Sequence, residues 1–122
     1  PADAEKLGLQ SGDTARIRIA KWTVARGLRA AGRLDEAESI QIALAGELDR
    51  AGKPDGFVFE ELAEIAVAKN DPGSASKWAA RAYPLLAADA SFAAAEPARL
   101  ARLKALSTPS PRPAAPGPGA AK

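Results

Sequence analysis

Apolar residues recur at three- and four-residue steps on both sides of the short stretch Gly32-Arg33-Leu34-Asp35-Glu36-Ala37, which confines the chain to two helices joined by a tight turn. Upstream, Ile17, Ala20, Val24, Leu28 and Ala31 fall on one side of a helix and are expected to form a buried stripe. Downstream, Ala37, Ile40, Leu44 and Leu48 repeat the pattern. Asp35, Glu36 and Glu38 stand in the first turn, where carboxylates complement the positive end of the helix dipole, so a second helix begins near Asp35. Gly32 can take the positive-φ conformation that closes a helix, so the two helices should run antiparallel.

Shifting the chain by 38 residues lays Ala25 on Ala63, Leu28 on Ala66, Gly32 on Asn70, Ala37 on Ala75 and Ile40 on Trp78. A helix-turn-helix unit repeating at such an interval buries its apolar face only against its neighbour, the hallmark of an α-solenoid. Asp55, after the loop Ala51-Gly52-Lys53-Pro54, is placed to cap a third helix running from Phe57 to about Lys69. Pro72 and Gly73 make the second turn. Ala75, Trp78, Ala79, Ala82 and Leu86 form the stripe of a fourth helix, which Pro84 should kink or end. After Asp89 one last helix is expected, with Pro97 in its first turn, Leu100, Leu103 and Leu106 on its apolar edge, and Arg99, Arg102 and Lys104 facing out.

Gly32-Arg33-Leu34-Asp35-Glu36-Ala37 resembles the inter-helix turn of a tetratricopeptide repeat (TPR), where a small residue precedes the second helix and an alanine sits in its first turn. Ala25, Ala37, Ala63 and Ala75 match the family's small packing positions, with Phe59 at an aromatic and Leu62 at a large apolar position. The likeness covers about residues 15 to 88. It departs where Lys21 replaces the usual aromatic, with Trp22 one place later, in the atypical turn Asn70-Asp71-Pro72-Gly73, and in the 38-residue spacing, which exceeds the family's usual length. A variant TPR-like repeat or another helical-hairpin repeat both fit. The resemblance implies an all-α fold: a solenoid fragment of two antiparallel helix pairs over residues 14–106, closed by a C-terminal capping helix. Residues 1–13 read either as the remnant of a preceding helix, with Gly8 and Gly12 as stops before Asp13 or Thr14 caps the next, or as a leader. Residues 107–122, rich in proline, alanine and glycine, should be a disordered tail of polyproline II character. Its Pro113-Ala114-Ala115-Pro116 beside Arg112 has the form of a PxxP ligand, a string that any proline-rich tail generates.

Composition narrows the function classes. With six aromatics among many alanines, the core should be thin and made by close helix approach. The chain has neither cysteine nor histidine, which removes thiol and imidazole catalysis, disulfides and the usual zinc sites. No cofactor motif is present, and Glu60, Glu61 and Glu64 as bases or cation ligands lack a phosphate loop or convergent pocket, so no enzyme is expected. No apolar run reaches the roughly 20 residues that span a bilayer, and a cytoplasmic protein is the expectation. The start at Pro1-Ala2-Asp3, without an initiating methionine, points to a processed, trimmed or excised chain.

The net charge is only +2, but its distribution is uneven. Residues 14–34 carry six bases and no acid, whereas residues 35–64 carry nine acids with Arg50 and Lys53. In the tetratricopeptide register the first helix of each pair lines a concave groove. That implies a site formed by Ile19, Trp22, Arg26 and Arg29 from one helix and by Phe57, Glu60, Glu64 and Val67 from the next. Such a groove would hold a peptide or partner helix, and Trp22 among arginines has the character of an interaction hot spot. Trp22 instead reads as structural if it stacks under Arg26 or packs on a neighbouring helix. Arg26 and Glu64, equivalent on adjacent helices, are expected to pair. Glu60 and Glu64 would repel the carboxylate that the family's best-known clamp binds. The alternative function is a nucleic-acid-binding helper using Arg16, Arg18, Lys21, Arg26, Arg29 and Arg33 with Trp22, which the acidic second unit opposes. Trp22 should be partly exposed and Trp78 should be core.

Overall fold

The protein, seen in a computed structural model that describes residues 2–108 with side chains from residue 12, is all-helical, with no strand among the described residues. Six helices follow in order: α1 (Ala2–Ala30), α2 (Leu34–Arg50), α3 (Gly56–Ala68), α4 (Pro72–Ala87), α5 (Ala90–Ala95) and α6 (Pro97–Ser107). α1 packs on α2, α2 on α3, α3 most extensively on α4, and α4 on α6.

The contacts fix the helix directions. Arg18 reaches Glu47 while Gln41 donates to the Trp22 carbonyl, so α2 runs back along α1. A Cβ on Gly56 would meet Leu86, and Phe59 stacks on Trp78, so α4 runs back along α3. α1 and α3 share one direction, because Trp22 reaches Phe57 and Arg29 reaches Glu61. α3 and α6 do so as well, since Arg99 holds Glu60 and Arg102 holds Glu64.

The 38-residue correspondence reappears atom for atom in the turns. Gly32 has φ 83° and Asn70 has φ 60°, and asparagine is one of the few side chains that tolerate the left-handed region. The Arg33 N–H donates to the Leu28 carbonyl at 2.8 Å, and the Asp71 N–H to the Ala66 carbonyl at 2.9 Å. Inside each, the N–H of residue 32 or 70 donates to the carbonyl of Arg29 or Val67, each at 3.0 Å, completing a Schellman closure. The second turn, unusual in sequence, is therefore ordinary in geometry. Asp55 caps α3 through the Phe57 N–H, Asp71 caps α4 through Ser74, and Asp89 caps α5 through Phe92.

The core is as thin as the composition implied. Ala25, Ala37, Ala63, Ala79 and Ala82 are fully buried, and methyl groups at helix contacts let backbones approach closely around Leu44, Val58, Phe59, Leu62, Ile65 and Leu103.

Five expectations are corrected. α1 starts at Ala2 and continues through Gly8 and Gly12, so neither Asp13 nor Thr14 caps it; glycine in a helix costs about 1 kcal/mol but does not break it. The stripe Ile17–Ala20–Val24 is exposed, at 54% for Ile17 and 56% for Val24, because α1 touches α2 and α3 with its Trp22–Ala25–Leu28 side. Pro84 lies within α4, which runs on to Ala87: it is exposed, and the Leu86 side chain beyond it anchors the last turn against Gly56. The C-terminal segment is two helices, broken at Glu96, with Pro97 opening the second. Trp78 is half-buried, packed on Phe59, so the two tryptophans do not divide into one exposed and one core. Of the tail, residues 109–122 lie outside the described residues.

Candidate functional site

Where α2 ends at Arg50, α1 stands beside the opening turn of α3, and an open groove of about 780 Å³ lies between them. Its walls are Ile19 and Trp22 from α1, Leu44 and Leu48 from α2, and Phe57 and Val58 from α3, with Thr14, Arg18, Lys53 and Asp55 supplying polar atoms. The loop over residues 51–55 shapes the floor, because the Schellman closure at Gly52 (φ 72°) turns the chain back toward α1.

Trp22 carries both characters that the sequence left open. It is half-buried and lines the groove, while its indole Nε1 donates to the Phe57 carbonyl at 3.3 Å and the Arg26 guanidinium lies 5.3 Å from its ring centre. Ile19 is 64% exposed beside it. Phe57 is half-buried and meets Phe92 edge to face at 5.3 Å. Ile19, Trp22 and Phe57 thus come together at one end of α3. Val67 lies ten positions along α3 from Phe57, about 15 Å away at 1.5 Å per residue, and does not join them.

The charged residues of the expected site are bound to one another across α1, α3 and α6. Glu61, only 4% exposed, accepts both forks of Arg29 at 2.7 and 3.2 Å, with Arg26 at 3.9 Å. Arg99 binds Glu60 with its Nε at 3.0 Å and lies over Phe92, and Arg102 binds Glu64 at 2.6 and 2.7 Å. Three expectations change here. Arg26 turns to Glu61 and Glu64 to Arg102, so the pair Arg26–Glu64 does not form. Arg99 and Arg102, expected to face out, stay partly exposed but reach across to the carboxylates of α3. Glu60 and Glu64 are neutralised by them and present no bare carboxylate. A buried carboxylate must be paired or lose its charge, and the planar guanidinium satisfies both oxygens at once. Arg102 follows Glu64 by 38 residues, the repeat interval, and Arg99 follows Glu60 by 39, but Arg26 and Glu64, also 38 apart, do not pair, so the interval alone did not identify the partners.

All six bases of the first unit are likewise engaged. Arg16 pairs with Asp13, Arg18 and Lys21 with Glu47, Arg26 and Arg29 with Glu61, and Arg33 with Glu36. The basic run in the sequence is therefore not a free basic surface.

The Arg102 guanidinium holds the Glu64 carboxyl below its ordinary value of 4.5. A depressed folded value stabilises the protein above pH 4.5, and this contribution fades as the pH falls through the lowered value. Both groups are partly exposed, so the pair is worth about 0.5–1 kcal/mol. Urea unfolding should show Arg102→Gln less stable than the parent by that amount at pH 7, with the gap closing as the pH falls below 4.5. A gap that stays the same as the pH is lowered would mean that Arg102 acts by packing alone.

No protein-family model, no curated protein and no solved structure matches this chain. Among the described residues no helix is long and apolar enough to cross a membrane.

Proposed function

We propose that the chain is a TPR-like interaction module acting in the cytoplasm, in which two antiparallel helix pairs form a short solenoid, capped by α6, that holds a segment of a partner protein. The observation that carries this reading is the apolar groove between α1, the end of α2 and the start of α3, with Trp22 and Ile19 on its wall. Its volume suits one or two large apolar side chains of a bound segment, and pockets of this kind are where interface anchors seat. Further support lies in the matching turns at Gly32 and Asn70 and in the side-by-side course of α1, α3 and α6. Nucleic-acid binding is the weaker reading, because each base of α1 among the described side chains already faces a carboxylate.

Peptides selected from a displayed random library on the full chain should carry apolar anchors and should bind Ile19→Asp at least tenfold more weakly. Ile19 is exposed, so this variant should melt within a few degrees of the parent. In a Trp78→Phe background, with Trp22 the remaining tryptophan, the same peptides should shift the indole emission. Binding that ignores Ile19→Asp and leaves Trp22 emission unchanged would overturn the groove as the site.

A further inference from the structure

Across Lys53 and Asp55 the groove borders a second hollow. This hollow, about 400 Å³, lies against the end of α4 at Leu85 and Leu86 and shares Leu48, Lys53, Asp55 and Phe57 with the groove. We propose that the two together take an acidic segment of a partner protein, in which a carboxylate set between two apolar anchors meets Lys53. The inference rests on the groove reading above and names the chemistry of what the groove holds.

Charge carries it. Of the eight bases in residues 14–64, Arg16, Arg18, Lys21, Arg26, Arg29 and Arg33 each face a carboxylate, whereas Arg50 and Lys53 have none among the described residues. These two stand at the turn that closes α2 beside the groove, and both are exposed. The nearby acids are engaged elsewhere. Asp55 accepts the Phe57 N–H at 2.8 Å as the cap of α3, and Asp49 binds Arg81. Glu47 serves Arg18 and Lys21 at once, at 3.2 and 3.5 Å, so one carboxylate stands between two cations on the α1 side of the groove. The charge left over at this end is positive, and a ligand carboxylate can meet Lys53 without breaking an ion pair already present.

The apolar walls set what must flank that carboxylate. Ile19, 64% exposed, lies in the groove, and Leu85, 37% exposed, lies in the second hollow, with Lys53 common to both. Apolar anchors seat in such hollows while a charge at their rim selects the sign of the partner. The chain's own residues 109–122 do not answer this description: their charged residues are Arg112 and Lys122, with no acid and no large apolar side chain.

Peptides from the displayed library should carry Asp or Glu between their apolar anchors, and the tightest of them, made synthetically, is the probe. Rim charges act chiefly on the association rate and its salt dependence. Association of the probe with the captured full chain, followed by surface plasmon resonance, should slow about tenfold in Lys53→Glu, and severalfold in the parent when NaCl is raised from about 0.05 to 0.5 M. Lys53 is exposed, so Lys53→Glu should keep the helical spectrum and melting point of the parent. A probe whose acids are changed to lysine should prefer Lys53→Glu over the parent. Selected peptides without acids, or a probe that is weakened by Ile19→Asp and indifferent to Lys53→Glu, would overturn the acidic partner and leave the groove reading standing. A probe indifferent to Ile19→Asp would remove the groove reading and this inference with it. Displacement of the probe by a synthetic peptide of residues 109–122, or a dimer of the chain that the probe dissociates, would give the groove to the tail or to a second copy and overturn the proposal as well.

Discussion

Phe59→Ala should lower the free energy of unfolding by about 3–5 kcal/mol, the range for deleting a buried aromatic ring. Phe59 is 1% exposed, stacked on Trp78 with ring centres 5.9 Å apart, and covered by the Arg81 guanidinium 4.0 Å from its centre. Arg81 is in turn held by Asp49 at 3.0 Å, so the ring joins α2, α3 and α4. Removing it leaves a void in an alanine-rich core and takes away the ring on which Trp78 and Arg81 pack. Domains of this size are stable by roughly 5–15 kcal/mol, so the variant should stand near its unfolding midpoint at modest urea. Urea unfolding followed by circular dichroism measures the loss directly. A decrease below about 0.5 kcal/mol, no larger than that of an exposed substitution, would mean that the Phe59–Trp78–Arg81 stack does not hold the helices together.

Gly56→Ala should destabilise by about 1–3 kcal/mol, although alanine is the better helix former. A Cβ at this position would stand 2.7 Å from Leu86 Cγ and 2.9 Å from its Cδ2, with Leu85 Cβ at 3.2 Å. Leu86 is 3% exposed and cannot swing aside, so the clash outweighs the helix-propensity gain of up to about 1 kcal/mol. Truncating the obstacle supplies the control: in a Leu86→Ala background the same substitution should be nearly neutral or stabilising. A double-mutant cycle with no coupling between the two positions would show that α3 and α4 separate easily at this end.

The helices themselves were legible from local information. Apolar spacing located α2, α3 and α4, the acidic first turn located the start of α2, and Gly32 and Asp55 act as stop and cap as their chemistry requires. The 38-residue interval extended this to a turn that looked atypical, because Asn70 can adopt the backbone conformation that Gly32 adopts. The candidate site was legible only in part. Ile19, Trp22 and Phe57 do meet, but the groove they share also needs Leu44, Leu48 and Lys53, which reach it only because α2 ends where α3 begins.

What the sequence alone determined was therefore whatever depends on neighbours within one helical turn or on one repeat interval: helix existence, caps, turns, and the alanines where helices touch. What only the tertiary structure decided was which of two faces on α1 is covered, and which charges meet. Ile17, Ala20 and Val24 have the spacing of a core stripe and yet lie open, because the relative rotation of α1 is set by contacts of Trp22, Ala25 and Leu28 with α2 and α3, and periodicity is the same for every rotation of a helix about its axis. Arg99 and Arg102 likewise read as solvent-facing along α6. They reach across to α3 because it buries Glu60 and largely covers Glu64, and a carboxylate removed from water requires a guanidinium that only a neighbouring helix can bring.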